Sequence, residues 1–202
     1  MEQFENKALL RGSMRNLPQP SHENHGKQFY RFYLEVPRLS GNVDILPVIA
    51  ELGLLEAMDL SAGSSIRVEG QLRSHNVTDE TGRHLLIFLF ANQLTVEDGP
   101  PINEICLTGT ICKDPIYRTT PLGREICDVM LAVPRAFRRA DYLPCILWGS
   151  MAQRFRHASV RDTLHIYGRL QSRLYTKYIN ESSQQRTAYE VSALTAEDCP
   201  VA

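Results

Sequence analysis

The sequence predicts an all-β chain with one short helix per repeat, in which a single small barrel of about 95 residues is built twice in tandem. Two observations predict it. At an offset of 97 the chain matches itself at Asn6/Asn103, Leu10/Leu107, Gly12/Gly109, Pro18/Pro115, Gly26/Gly123, Leu34/Leu131, Val36-Pro37-Arg38/Val133-Pro134-Arg135, Asp44/Asp141 and Leu46-Pro47/Leu143-Pro144. That is 12 identities over the 42 positions from Asn6 to Pro47, where unrelated chains of ordinary composition give about two or three. The offset grows to 98 at Gly70-Gln71-Leu72 over Gly168-Arg169-Leu170, and to 100 at Leu94-Thr95 over Leu194-Thr195, as small loop insertions require. The second observation is that both copies carry the same order of short β-branched and aromatic runs divided by Gly, Pro, Asn and Ser.

In the first copy those runs are Lys7 to Ser13, Gln28 to Val36, Asp44 to Ile49, Ser65 to Arg73 and Arg83 to Thr95. In the second they are Glu104 to Cys112, Glu125 to Val133, Asp141 to Trp148, Thr163 to Gln171 and Thr187 to Thr195. One helical segment falls between the third and fourth strands of each copy, near Leu54 to Leu60 and Met151 to Ala158. Five strands with a helix in that place is the order of an OB-fold, a Greek-key barrel whose face and loops commonly bind single strands or oligosaccharides. Two tandem OB-folds are therefore expected, at 1–98 and 103–202, with 99–102 as the linker. Gly99-Pro100-Pro101 marks the seam, since it supports neither a helix nor a strand ladder.

Composition narrows the function. The chain of 202 residues is 43% hydrophobic and 22% charged, with a formal charge of −1, which excludes a disordered chain and a binder that works by bulk positive charge. No stretch approaches the roughly 20 apolar residues of a membrane span, and Met1 to Arg11 is too polar for a signal-peptide core, so a soluble, cytoplasmic protein is expected. Cys106, Cys112, Cys127, Cys145 and Cys199 contain no C-x-x-C pair and read as reduced, mostly core-filling thiols. His22 and His25 share a polar loop without a third ligand nearby, so neither a metal nor another cofactor is expected. There is no Gly-rich phosphate loop, H-E-x-x-H, G-x-S-x-G or paired acidic motif, and catalysis is not expected.

The second copy does carry aromatics interleaved with arginine at strand parity. In its fourth strand Leu164, Ile166 and Leu170 point one way, while His165, Tyr167, Arg169, Gln171, Arg173 and, with a longer strand, Tyr175 point the other. Tyr142 and Trp148 are six positions apart and share a face, and Phe137 lies among Arg135, Arg138 and Arg139 in the preceding loop. Aromatic rings give unpaired bases a stacking platform and nearby arginines follow the phosphates.

The motifs Asp114-Pro115-Ile116-Tyr117-Arg118-Thr119-Thr120-Pro121-Leu122-Gly123, Leu131-Ala132-Val133, Tyr142-Leu143-Pro144-Cys145-Ile146-Leu147-Trp148-Gly149 and Gly168-Arg169-Leu170-Gln171-Ser172-Arg173 resemble, in order and spacing, the bacterial single-stranded DNA-binding proteins. The resemblance runs over nearly all of 103–198. It implies an OB-fold that wraps single-stranded DNA without strong sequence preference and an assembly of four OB-folds, here a homodimer. The family's base-stacking positions fall on Phe137, Tyr142, Trp148 and Tyr175. Its backbone-contacting positions match Arg118 and Arg173 well, and Arg138, Arg169 and Lys177 less closely. A protein of this kind is expected at the bacterial nucleoid, protecting single strands in replication, recombination or repair.

The first copy departs from that pattern. Its stacking positions hold Ser40, Ile45, Glu51 and Val77, none aromatic. Residues 1–99 carry 9 basic and 13 acidic side chains, whereas 100–202 carry 13 and 10. The second copy is thus expected to hold the main site and the first to serve as the assembly half, with a weaker contact through Arg31, Tyr33 or Arg73. The family usually continues into a glycine-rich tail with an acidic tip that recruits other enzymes, and this chain ends at Ala202, so recruitment by such a tail is not expected. The alternative is an OB-fold interaction or primosome-accessory module in which DNA binding has decayed.

Overall fold

The structure, a computed structural model, describes residues 4–79, 82–179 and 182–199, without the side chains of 79, 83, 177–179 and 182. Twelve strands and two short helices follow in the order β1 (Asn6–Met14), β2 (Gln19–Asn24), β3 (Lys27–Pro37), β4 (Val43–Glu51), α1 (Leu52–Leu55), β5 (Ser65–Asp79), β6 (Gly82–Val96), β7 (Ile102–Ile111), β8 (Ile116–Thr119), β9 (Glu125–Arg135), β10 (Arg139–Trp148), α2 (Ser150–Phe155), β11 (Thr163–Ile179) and β12 (Ser182–Asp198). The chain forms two compact units. One comprises Lys7–Arg73 and Phe88–Glu104, and the other Met1–Asn6, Ser74–Ile87 and Ile105–Ala202.

In the first of these units β3, β4, β6, β5 and β1 are neighbours in that order, and β1 returns to β3 through Ser13 opposite Glu35. That closure makes a five-stranded barrel, the OB-fold expected, with β4 and β6 as its parallel pair. Alternation along the strands fills it: Leu10, Phe32, Leu34, Leu46, Val48, Ile66 and Leu89 are all fully buried, as a period-two pattern around a closed sheet dictates. The other unit repeats the scheme with β9, β10, β12, β11 and β7, closed by Thr110 opposite Ala132. Its core holds Ile105, Leu107, Leu131, Leu143, Leu147, Ile166 and Leu170.

The self-matching positions turn out to be the scaffold. Asp44 is completely buried and takes two hydrogen bonds from the Arg38 guanidinium across the β3–β4 hairpin. Its counterpart Asp141 is paired with Arg135 at 3.4 Å across β9–β10. A buried carboxylate requires such a partner. Gly70 and Gly168 stand where strands cross: a Cβ on Gly70 would lie 2.0 Å from the Phe90 carbonyl oxygen and one on Gly168 2.3 Å from that of Ser192, too close for any side chain.

Four features differ from the sequence expectation. β2 and β8 lie outside the runs expected as strand; both are edge strands, β2 fully exposed and bulged between Pro20 and His22, so they carry no apolar alternation and an edge position tolerates the proline. His22 accordingly lies in a strand, stacked on Phe29 with ring centroids 4.8 Å apart. β5, β11 and β12 run beyond the expected strand limits at Arg73, Gln171 and Thr187, and the described side chains that these extensions add are exposed or half-buried, so no apolar alternation marks them. The helices start earlier and are shorter than Leu54 to Leu60 and Met151 to Ala158. After one turn the bonds tighten to the i→i+3 spacing, Met58 N–H to Leu55 O and Ala158 N–H to Phe155 O, both 3.1 Å, which ends an α-helix. Their buried residues, Leu55 on α1 and Ala152 and Phe155 on α2, join the cores.

The seam is pinned in its own unit. Arg11 donates from Nε to the Pro100 carbonyl at 2.7 Å and pairs with Glu97, while Gly99, at φ +156°, packs on that guanidinium where a Cβ would meet Cζ at 2.6 Å.

Candidate nucleic-acid interface

The outer face of β9, β10, β12 and β11 gathers most of the expected residues. Along β10 the odd positions Asp141, Leu143, Cys145 and Leu147 are buried, leaving Tyr142 and Trp148 on the outer face together. Trp148 is half-buried and donates its indole N–H to Ser192 Oγ at 2.9 Å. Ser192 lies beside Ile146 on β10 and opposite Arg169 on β11, so Trp148, Ser192 and Arg169 occupy three adjacent strands. Arg169 Nε is buried with no hydrogen-bond partner among the described residues. An unsatisfied buried donor of that kind is costly unless a ligand supplies the acceptor.

β11 extends through Tyr175, as the longer-strand reading requires, and the Arg173 guanidinium lies 5.9 Å from the centroid of the Tyr175 ring. Lys177 continues the ribbon opposite Gln184, but its side chain lies outside the described residues. Leu174, on the other face of the ribbon, is exposed, because the barrel core has ended by that point.

Phe137 occupies the β9–β10 turn, 93% exposed. Phe137 and Arg138 have φ of +61° and +55°, a left-handed pair that a tight hairpin favours and that Asn-Gly usually supplies. A phenylalanine there is strained, and strain of this sort concentrates at binding sites. Arg138 is also exposed.

Acidic partners of the arginines had no sequence signal. Arg118, on β8, donates from Nε to Asp128 Oδ2 at 2.7 Å. The Asp128 hydrogen bond raises the Arg118 pKa, against a desolvation that lowers it, and the charges of Asp128 and Glu190 add to the rise. Glu190 is 7% exposed, accepts from Gln171 Nε2 at 3.1 Å and pairs with Arg173 at 3.5 Å. Gln171, read as an outward residue, is buried by that bond. Parity places a residue on a face but does not identify what sits on the neighbouring strand.

In the other unit, the position matching Trp148 holds Glu51, bound to Lys27 at 2.9 Å. Arg15 pairs with Glu35 and Arg67 with Glu69, and Arg73 lies 5.9 Å from the Phe90 ring centroid. Arg31 is exposed and Tyr33 half-buried. Among the described residues no helix is long and apolar enough to cross a membrane.

Comparison with known proteins bears on the family and the fold. The model of the single-strand binding protein family matches residues 102–197. Single-stranded DNA-binding protein 1 of Staphylococcus aureus is 37% identical over 81 residues, which cover 37% of this chain and 48% of that protein, so the chain spans about half the length of that relative. Single-stranded DNA-binding protein 3 of Streptococcus agalactiae is 33% identical over 99 residues, 46% of this chain and 70% of that protein. Over both repeats, the crystal structure of the wild-type single-stranded DNA binding protein from Thermus aquaticus has a similar fold, with a TM-score of 0.80 at 21% identity, covering 99% of this chain and 95% of that one. A family match over residues 102–197 and a relative 33% identical that is covered for 70% of its length lead to one conclusion: the chain belongs to the single-strand binding protein family.

Proposed function

We propose that this chain binds single-stranded DNA with little sequence preference, chiefly through the repeat at 103–202. Bases stack on Trp148, Tyr142, Phe137 and Tyr175, and Arg118, Arg138, Arg169, Arg173 and Lys177 follow the backbone. The observation that carries the reading is the Trp148–Ser192–Arg169 row. It sets an indole, held by its N–H, one intervening strand away from a guanidinium whose buried Nε has no acceptor among the described residues. The names of the relatives support the ligand class. The repeat at 1–98 is the assembly half, and two chains form a homodimer of four barrels that protects single strands during replication, recombination or repair in the bacterial cytoplasm.

Because Trp148 is the only tryptophan, its fluorescence reports the site directly. Quenching by oligo-dT, with saturation, is expected, and Trp148→Ala is expected to cost about 1–3 kcal/mol of binding. An unchanged signal together with no gel shift would overturn the reading. A homodimer is expected by light scattering at micromolar concentration, and a monomer would remove the assembly half of the proposal.

A second reading, an OB-fold interaction module that no longer binds DNA, is favoured by Asp128 and Glu190, which already occupy Arg118 and Arg173. Failure of oligo-dT to quench Trp148 would turn the assignment to that reading.

A further inference from the structure

On a different part of the same unit, three side chains with metal-ligating atoms meet. Glu5 lies one residue ahead of β1, Cys106 is on β7 and His165 on β11, and their donor atoms all lie within 4.8 Å of one another. Cys106 Sγ is 3.1 Å from Glu5 Oε2 and 3.7 Å from His165 Nε2. The other ring nitrogen, Nδ1, is 2.8 Å from Thr108 Oγ1. The backbone places them there: His165 pairs directly with Thr108 in the β7–β11 ladder, Cys106 is two residues along the same face, and the Thr108 N–H donates to the Glu5 carbonyl at 2.8 Å.

We propose that Glu5, Cys106 and His165 form a binding site for zinc(II), with a water completing four-coordination. A tetrahedral ion with Zn–S of about 2.3 Å and Zn–N or Zn–O of about 2.0–2.2 Å holds its ligand atoms about 3.5 Å apart. The separations of 3.1 and 3.7 Å straddle that edge and the third, Glu5 to His165, lies within 4.8 Å, so binding requires side-chain shifts of about an ångström. Thiolate, imidazole and carboxylate together suit zinc and disfavour magnesium or calcium, which take oxygen alone. Thr108 supplies the outer bond that a ligating histidine usually has: with Nδ1–H donating to its hydroxyl, the Nε2 lone pair faces the sulfur. As the sulfur–zinc bond forms, the Cys106 thiol proton passes to solvent. All three side chains are partly exposed, which leaves a path for the ion.

The site was invisible as a motif because 101 positions separate Glu5 from Cys106 and 59 separate Cys106 from His165. Its consequence is a crosslink between three distant segments, which stabilises the folded state in proportion to the logarithm of free zinc.

The test uses the reduced, metal-free full-length protein and cobalt(II) as the optical probe. Expected are the near-ultraviolet band of a thiolate–cobalt bond and the intense visible bands of a tetrahedral ion, saturating at one equivalent per chain and displaced by zinc. Cys106→Ser is expected to abolish the thiolate band, Cys112→Ser to leave it, and Thr108→Val to weaken binding about 10–100-fold while keeping the spectrum. Circular dichroism checks that each variant folds. With Glu5→Gln, the thiolate band is expected to persist at lower affinity, so a folding failure at Cys106 does not remove the test. Absence of the band in the wild type, or its survival in Cys106→Ser, overturns the proposal.

Discussion

The backbone N–H of Tyr142 donates to the Ser74 hydroxyl at 2.7 Å, and the Ser74 N–H in turn donates to Asp141 Oδ1 at 2.9 Å. The start of the Ser74–Ile87 ribbon is thereby bonded to β10 beside an expected stacking tyrosine. Ser74→Ala removes the acceptor and is expected to lower stability by about 0.5–1.5 kcal/mol, read as a lower urea midpoint with an unchanged slope. A larger loss of oligo-dT binding than Tyr142→Ala produces would show that the ribbon touches DNA itself.

Phe137 separates binding from folding. Its ring is exposed and contributes little to the core, so Phe137→Ala is expected to leave the melting temperature within about a degree or two while weakening oligo-dT binding by about 1–3 kcal/mol. Equal binding by the variant would take Phe137 out of the site.

On the proposed reading, Asp128, which already accepts from Arg118, competes with phosphate for that guanidinium. Asp128→Asn is expected to tighten oligo-dT binding by up to about fivefold, the worth of an exposed ion pair. It also steepens the salt dependence by about 0.7 in log–log slope for one added phosphate contact. Weaker binding in a folded variant would show that the pair orients Arg118 for its ligand.

Gly168 links scaffold to face. An alanine there presses on the Ser192 carbonyl, and Ser192 holds the Trp148 indole. Gly168→Ala is expected to cost about 1–3 kcal/mol of stability and to shift the Trp148 emission, measured in unfolding and fluorescence spectra without DNA.

Acid sensitivity has a local source at Glu125, whose carboxyl is held below the usual range first by the Tyr117 hydroxyl and then by the Gln153 amide. A depressed folded-state value means stability that is present above the ordinary carboxylate pKa and lost as pH falls through the lower one. Tyr117→Phe is expected to raise the Glu125 titration, followed by carboxyl-carbon NMR.

The barrel order and the shared face of Tyr142 and Trp148 were readable because burial imposes a period, and the repeated Val-Pro-Arg and Asp were readable because duplication preserved them. The ion-pair brace explains why those residues match. β2 and the far end of β11 carry no such signal for the opposite reason: side chains there face water on either side, so no alternation is imposed. Asp128 and Glu190 were also hidden, since cross-strand neighbours are set by register, which alternation alone does not specify. The same holds for Glu5, Cys106 and His165.

The Lys27–Glu51 pair stands where the other repeat has Trp148. In an oligomer of identical one-barrel subunits, any substitution enters every copy at once, so a face cannot be given up in some barrels and kept in others. A chain that encodes both barrels removes that constraint. One copy is free to accumulate charge pairs while its sister retains rings, and the ratio of the two kinds of face is set by translation instead of by the concentrations of separate subunits.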